Sequence, residues 1–190
     1  MLIYDTEIAK AIQAMGEERI PGVEYCKGWT DYAGMGVACV CAYDMNVQRY
    51  RVFMQDNLLA FGELARSHDR VLGFNSISFD DNVMRAAGVE WNWANSVDLA
   101  RLIWRAAGVP EGEHPKGLSL DALCKANGLG GKSGNGAMAP VMFQRGDIGG
   151  LIDYCLADVA MTLKLYRVAA WSGGVRDPRN GDFLPVVVPR

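Results

Sequence analysis

Residues 2–7 (LIYDTE) open the chain with an apolar run that ends on two acids, the pattern of a short buried strand. Residues 8–33 read as a long connection, with one helical turn over 8–15 followed by a loop rich in glycine, proline and aromatic residues. Residues 34–43 (GMGVACVCAY) are apolar at both odd and even positions, as expected of a strand covered on each face. A polar break at 44–46 and rough alternation over 47–53 predict the return strand of a hairpin. Three strands without a helix between them predict an antiparallel start.

From residue 56 the period changes. Residues 56–70 read as a helix capped by Asp56, with Leu58, Phe61, Leu64 and Ala65 toward the core. A short strand at 71–75 leads into a helix over 79–87, and a strand near 95–97 into a helix over 98–107. Ser119 is placed to cap a helix reaching residue 126. The glycine-rich stretch 128–136 (GLGGKSGNG) lacks the frame of a phosphate-cradling P-loop. Asp147 caps the longest helix, to residue 170, whose apolar face carries Ile148, Leu151, Cys155, Val159, Thr162, Leu163 and Tyr166. Asn180-Gly181 marks a hairpin turn between residues 175 and 188. No repeat or linker divides the chain, so residues 1–190 read as one α/β domain. Its sheet is mixed and five-stranded, antiparallel in its first three strands and then parallel, with flanking helices.

Composition adds limits to this picture. The chain has 190 residues, 50% of them hydrophobic and 22% charged, which suits one globular core. No apolar run reaches the roughly 20 residues of a membrane span, and the first residues lack a signal-peptide pattern. A membrane partner is therefore not expected. The five cysteines (Cys26, Cys39, Cys41, Cys124, Cys155) are odd in number and form no C-x-x-C pair. That argues against a disulfide framework or a structural zinc site, and for reduced core thiols in a cytoplasmic protein. The net charge of −3 gives no basic footprint for nucleic acid. Two divalent cations on a carboxylate cluster would turn −3 into +1, so the charge leaves nucleic acid open as a partner.

The candidate chemistry is acidic. On a strand, Asp5 and Glu7 project from one face, about 6.6 Å apart along it. Two such carboxylates repel unless a cation, a proton or water separates them. Asp80 lies where a strand ends and a helix begins, at the carboxyl edge where α/β sheets build sites. On the long helix, counting about 100° per residue from Leu151 sets the apolar face at roughly 0–120°. Tyr154 then falls near about 300° and Asp158 near about 340°, both bordering the buried stripe, whereas Asp153 at about 200° faces water.

Asp5-x-Glu7, Asn75-x-x-x-Phe79-Asp80 and Tyr154-x-x-x-Asp158 together resemble the three ordered motifs of the DEDD 3′–5′ exonucleases, which have the ribonuclease-H-like fold. The tyrosine four residues before the last aspartate matches the tyrosine (DEDDy) branch; Asp153 stands where the other branch has histidine. The similarity extends over 28–44, 119–137 and 153–166. It is closest to the exonuclease domains of family B DNA polymerases and to YprB-like nucleases. The chain departs from the pattern in its short lead-in to Asp5 and its long 8–27 segment.

The resemblance implies a two-metal hydrolysis of phosphodiester bonds at single-stranded 3′ ends, with DNA favoured over RNA, releasing nucleoside 5′-monophosphates. It implies that Asp5 bridges two cations, that Glu7 and Asp158 complete the water-activating site, and that Asp80 serves the second ion. Tyr154 would orient the attacking water. Replication or repair proteins would be its partners. An all-carboxylate ligand set favours Mg²⁺ or Mn²⁺. Ile8 and Phe79 flank the acids and are candidates for wedging against terminal bases, Asn75 for positioning the strand end or the substrate, and Lys132 for a phosphate contact. Trp91 and Trp93 read as ordinary packing. A ribonuclease-H-like endonuclease and a non-catalytic nucleic-acid-binding module are the competing functions.

Overall fold

Leu2, Ile3 and Tyr4 are fully buried, and the strand they begin lies at the centre of the sheet. The computed structural model describes residues 1–131 and 136–189. Strand β1 (Leu2–Ile8) pairs antiparallel with β2 (Val37–Asp44), which pairs antiparallel with β3 (Arg49–Met54). On its other edge β1 pairs in parallel with β4 (Val71–Gly73), and β4 in parallel with β5 (Ser96–Asp98). The order is β3-β2-β1-β4-β5, the expected mixed sheet of an α/β domain. A separate antiparallel pair, β6 (Gly174–Arg176) and β7 (Phe183–Pro185), forms the C-terminal hairpin.

The alternation of β1 divides the core. Leu2 and Tyr4 face a cluster with Phe61, Val83, Met84 and Trp91, drawn from α2 (Leu58–Arg66), α3 (Asp80–Ala86) and the segment after α3. Ile3 faces the opposite cluster, built from α4 (Leu99–Ala106), α5 (Leu120–Ala126), α6 (Ala139–Gln144) and α7 (Ile148–Ser172). Period-2 geometry carries Asp5 and Glu7 onto that second face, beneath α7.

Three expectations are corrected. No helix forms over 8–15. Ala9 and Lys10 instead donate to the carbonyls of Gly36 and Met35, and Ala11 bridges Tyr25, so these backbone groups pair across the loop. Residues 34–35 end the short helix α1 (Tyr32–Met35) rather than begin a strand, and Gln48, with φ at 56°, turns the hairpin before β3 starts. Asp56 does not cap α2; Asn57 holds that position, and its side-chain oxygen accepts from the Met54 N–H at 2.7 Å. The short helix α6 arises unanticipated between the glycine-rich stretch and α7, with Pro140 in its first turn, where a missing N–H costs nothing. Ser119 and Asp147 do cap their helices, accepting from Ala122 and Gly150, and Asp98 caps α4 as well, accepting from Arg101. Among the described residues no helix is long and apolar enough to cross a membrane.

Candidate active site

The carboxyl end of β1 becomes a site because three chain segments meet there. Asp5 and Glu7 come from β1, Asp80 from the first turn of α3, and Tyr154 and Asp158 from successive turns of α7. All five line one cleft of about 510 Å³, together with Ile8, Asn75 and Phe79. Glu7, Asp80 and Asp158 are buried, while Asp5 and Tyr154 are half-buried and face the opening. Asp153 is exposed and lies off the cleft, as its helical angle requires. Lys132 lies outside the described residues.

Register arranges the acidic pair. Asp5 stands opposite Cys41 and Glu7 opposite Cys39, and the pairing then skips Ala38 so that Ile8 meets Val37. That bulge bends the edge of the strand pair just beyond Glu7, a common device beside functional sites. On the other side, the Thr6 N–H donates to Asp80 at 3.1 Å and holds the α3 carboxylate at the end of β1. Behind Asp80, the Tyr4 hydroxyl donates to Asp81, which is 1% exposed; this ties the first turn of α3 to the central strand.

The turn after β4 has its own organiser. Asn75 adopts the left-handed region at φ 63°, where asparagine is tolerated. At Gly73 a Cβ would lie 2.6 Å from Ser76 Oγ, so only glycine lets this turn fold back on the strand. Asp98, buried at the end of β5, accepts from the N–H groups of Asn75 (2.8 Å), Ile77 (3.2 Å) and Arg101 (3.2 Å). Sequence reading had assigned it only to a helix start. Asp98→Ala leaves these donors without their acceptor, at about 1–3 kcal/mol for each buried group. We expect a lower denaturant midpoint and faster amide exchange at Asn75 and Ile77; unchanged exchange there would remove Asp98 as the organiser.

Like charges burden the cluster. The Glu7 carboxyl is raised well above its ordinary value, first by burial and then by the charge of Asp5, with Cys39, Asp158 and Asp80 adding to it. Asp80 is raised well above its own, again by burial first and then by Asp5. The protein alone thus holds carboxylates that resist ionising together. Hard divalent cations relieve such repulsion, and the carboxylate oxygens are their preferred donors, so the residues fit Mg²⁺ or Mn²⁺. Asp5 and Glu7 place ligand atoms within 4.8 Å of one another and of Cys155; Asp80 and Asp158 face the cleft outside that tight group.

Sequence reading missed Trp29. It is 66% exposed, lines the cleft, and meets Phe79 edge to face at 6.1 Å. Tyr32 packs on the same Phe79 ring at 6.4 Å, making an aromatic lip from the long 8–33 connection. A tryptophan in a loop carries no periodic signal, so only the fold brings it to the site. Two adjoining hollows widen the cleft. One is lined by Trp29, Ser78 and His114, the other by Lys116, Ser119 and Asp121. Trp91 and Trp93 lie elsewhere. Trp91 is buried against Tyr4 and Phe61, and Trp93 stacks on it beneath Arg85. No protein-family model matches the chain, and no curated protein matches it.

Proposed function

We propose that the chain is a 3′–5′ exonuclease of the tyrosine-branch DEDD type on a ribonuclease-H-like fold, acting on single-stranded nucleic acid, with DNA favoured. The observation that carries this reading is the convergence of Asp5, Glu7, Asp80, Tyr154 and Asp158 on one cleft from three separate elements. A binding module has no need of buried carboxylates held against their own repulsion.

Two hard divalent cations, when bound, supply an activated water and stabilise the leaving oxygen of an in-line displacement. Asp5, at the half-buried centre, would hold both ions, with Glu7 and Asp158 on the water-activating side and Asp80 on the other. The Tyr154 hydroxyl, close to Gly136 at the cleft wall, would orient the attacking water by hydrogen bonding. Asn75, at the turn pinned by Asp98, and the Ile8 and Phe79 side chains would position the terminal nucleotide. Trp29 would stack on its base, an interaction that tolerates any sequence because every base has a π-face.

Strands of DNA and of RNA, each labelled and with a free or blocked 3′ end, test the reading in Mg²⁺ and in Mn²⁺. Mononucleotide release from free ends, sparing of blocked ends and reversible arrest by EDTA are expected. Cutting of a circular single strand would instead make the protein an endonuclease, and no hydrolysis of any substrate would leave a binding module. Trp29→Ala should raise KM by about 5- to 150-fold, in line with about 1–3 kcal/mol per stacked base, while kcat changes less. An unchanged KM would remove Trp29 from the substrate path.

A further inference from the structure

Beneath the acidic pair lies a buried sulfur cluster that the proposed hydrolysis does not use. Cys39 and Cys41 are two apart on β2 and share the face of Asp5 and Glu7, their cross-strand partners. Cys155 descends onto them from α7, one residue after Tyr154. All three are wholly buried and free, and their sulfurs lie within 4.8 Å of one another. The Cys155 thiol also reaches Asp5, at 3.5 Å from its carbonyl oxygen and 3.7 Å from its carboxylate. Cys26 and Cys124 make the contrast. Each is buried and bonds a backbone carbonyl, that of Gly28 and of Met161 respectively, and neither belongs to a ligand cluster among the described residues.

Three sulfurs within 4.8 Å of one another, with the Asp5 carboxylate reaching the group through Cys155 at 3.7 Å, make a donor set that hard cations do not favour. It matches thiophilic d¹⁰ ions, which take tetrahedral Cys-rich sites with Zn–S bonds of about 2.3 Å. Tetrahedral bonds of that length set the sulfurs about 3.8 Å apart, so closing the three sulfurs on an ion needs a contraction of at most about 1 Å, with the Asp5 side chain turning in beside Cys155. The ion would enter from the cleft by way of Asp5, the only half-buried member of the set. We propose that Cys39, Cys41 and Cys155, with the Asp5 carboxylate as fourth ligand, form a second metal site selective for Zn²⁺-class cations. An ion there takes Asp5 away from the acidic cleft, so Zn²⁺ would oppose Mg²⁺ or Mn²⁺; this consequence, unlike the site itself, rests on the exonuclease reading.

Cd²⁺ serves as the spectroscopic probe on the full chain, reduced and freed of metal, without nucleic acid. One equivalent should produce the ultraviolet sulfur-to-cadmium charge-transfer band, and X-ray absorption of the Zn²⁺-loaded protein should count three sulfurs in the first shell. Cys39→Ala and Cys155→Ala should weaken binding by more than the roughly 10–100-fold that loss of an outer-shell partner costs, whereas Cys26→Ala and Cys124→Ala should leave it unchanged. A first shell with fewer than two sulfurs, or a band that survives Cys155→Ala in a protein that still folds, overturns the proposal. The X-ray count needs no variant, so it decides the matter even if the core substitutions unfold the chain. Because neither readout involves hydrolysis, failure here leaves the exonuclease reading standing, and inactivity toward nucleic acid leaves this site standing.

Discussion

Asp158→Asn should abolish nucleotide release while leaving the protein folded. Asp158 is 5% exposed on a helix of 25 residues, and asparagine matches its volume, so packing along α7 survives. What disappears is a formal charge close enough to Glu7 to raise that carboxyl. Removing a proposed ligand should cost more than the roughly 10–100-fold typical of an outer-shell residue. Tyr154→Phe keeps every carboxylate and loses only a hydroxyl, so its loss should fall within about 10–100-fold. Initial rates on a 3′-labelled strand, with thermal unfolding of each variant alongside, check both. Substantial activity in folded Asp158→Asn would sink the metal assignment, and a Tyr154→Phe rate below that of Asp158→Asn would invert the proposed division of roles.

The second large effect is on stability, and its sign runs against the first. In metal-free protein Asp80 and Glu7 have folded pKa values raised well above the ordinary 3.8 and 4.5, chiefly by burial. A carboxyl raised in the folded state contributes stability that is fully present below its ordinary value and is lost as pH climbs through the raised one. Metal-free protein should therefore unfold at lower temperature near about pH 8 than near about pH 5.5. Asp80→Asn keeps an oxygen for the Thr6 N–H yet carries no charge to strand in the core. It should raise the metal-free melting temperature at neutral pH by several degrees, taking 1–3 kcal/mol at about 2–4 °C each for a chain of this size. Saturating Mg²⁺ or Mn²⁺ should reverse the ranking, stabilising the parent chain more than the variant. Calorimetry with and without cation reads both signs. A variant less stable than its parent without metal would show that Asp80 contributes structure and not strain.

Much of this arrangement was legible in the sequence because it depends on short-range periodicity. Asp5 and Glu7 share a face since strands repeat every two residues, and Asp158 borders the buried stripe since helices turn about 100° per residue. The caps Ser119 and Asp147 announced two helix starts. What escaped depends on register or on loops. Nothing local says that Cys41 pairs with Asp5, or that the pairing skips Ala38 after Glu7. Asp98 reads in the sequence only as a helix start because two of its N–H partners lie 23 and 21 residues away. Trp29 reaches the cleft only because the backbone of 8–33 pairs with itself and with the start of β2, where a helical turn had been expected.

The alternation of β1 also bears on how the chain avoids folding incorrectly. Sliding β1 by one residue against β2 would turn Asp5 and Glu7 toward Phe61 and Met84 on the opposite face, where Asp81 is already buried against Tyr4. Two carboxylates would then be stranded among aromatic rings without a cleft to receive them. The correct alignment suffers their mutual repulsion, but the slipped one suffers far more. Asp5 and Glu7 thus police the pairing of the central strand during folding, a duty separate from any reaction. Swapping both for leucine would produce a sturdier chain with a less certain alignment.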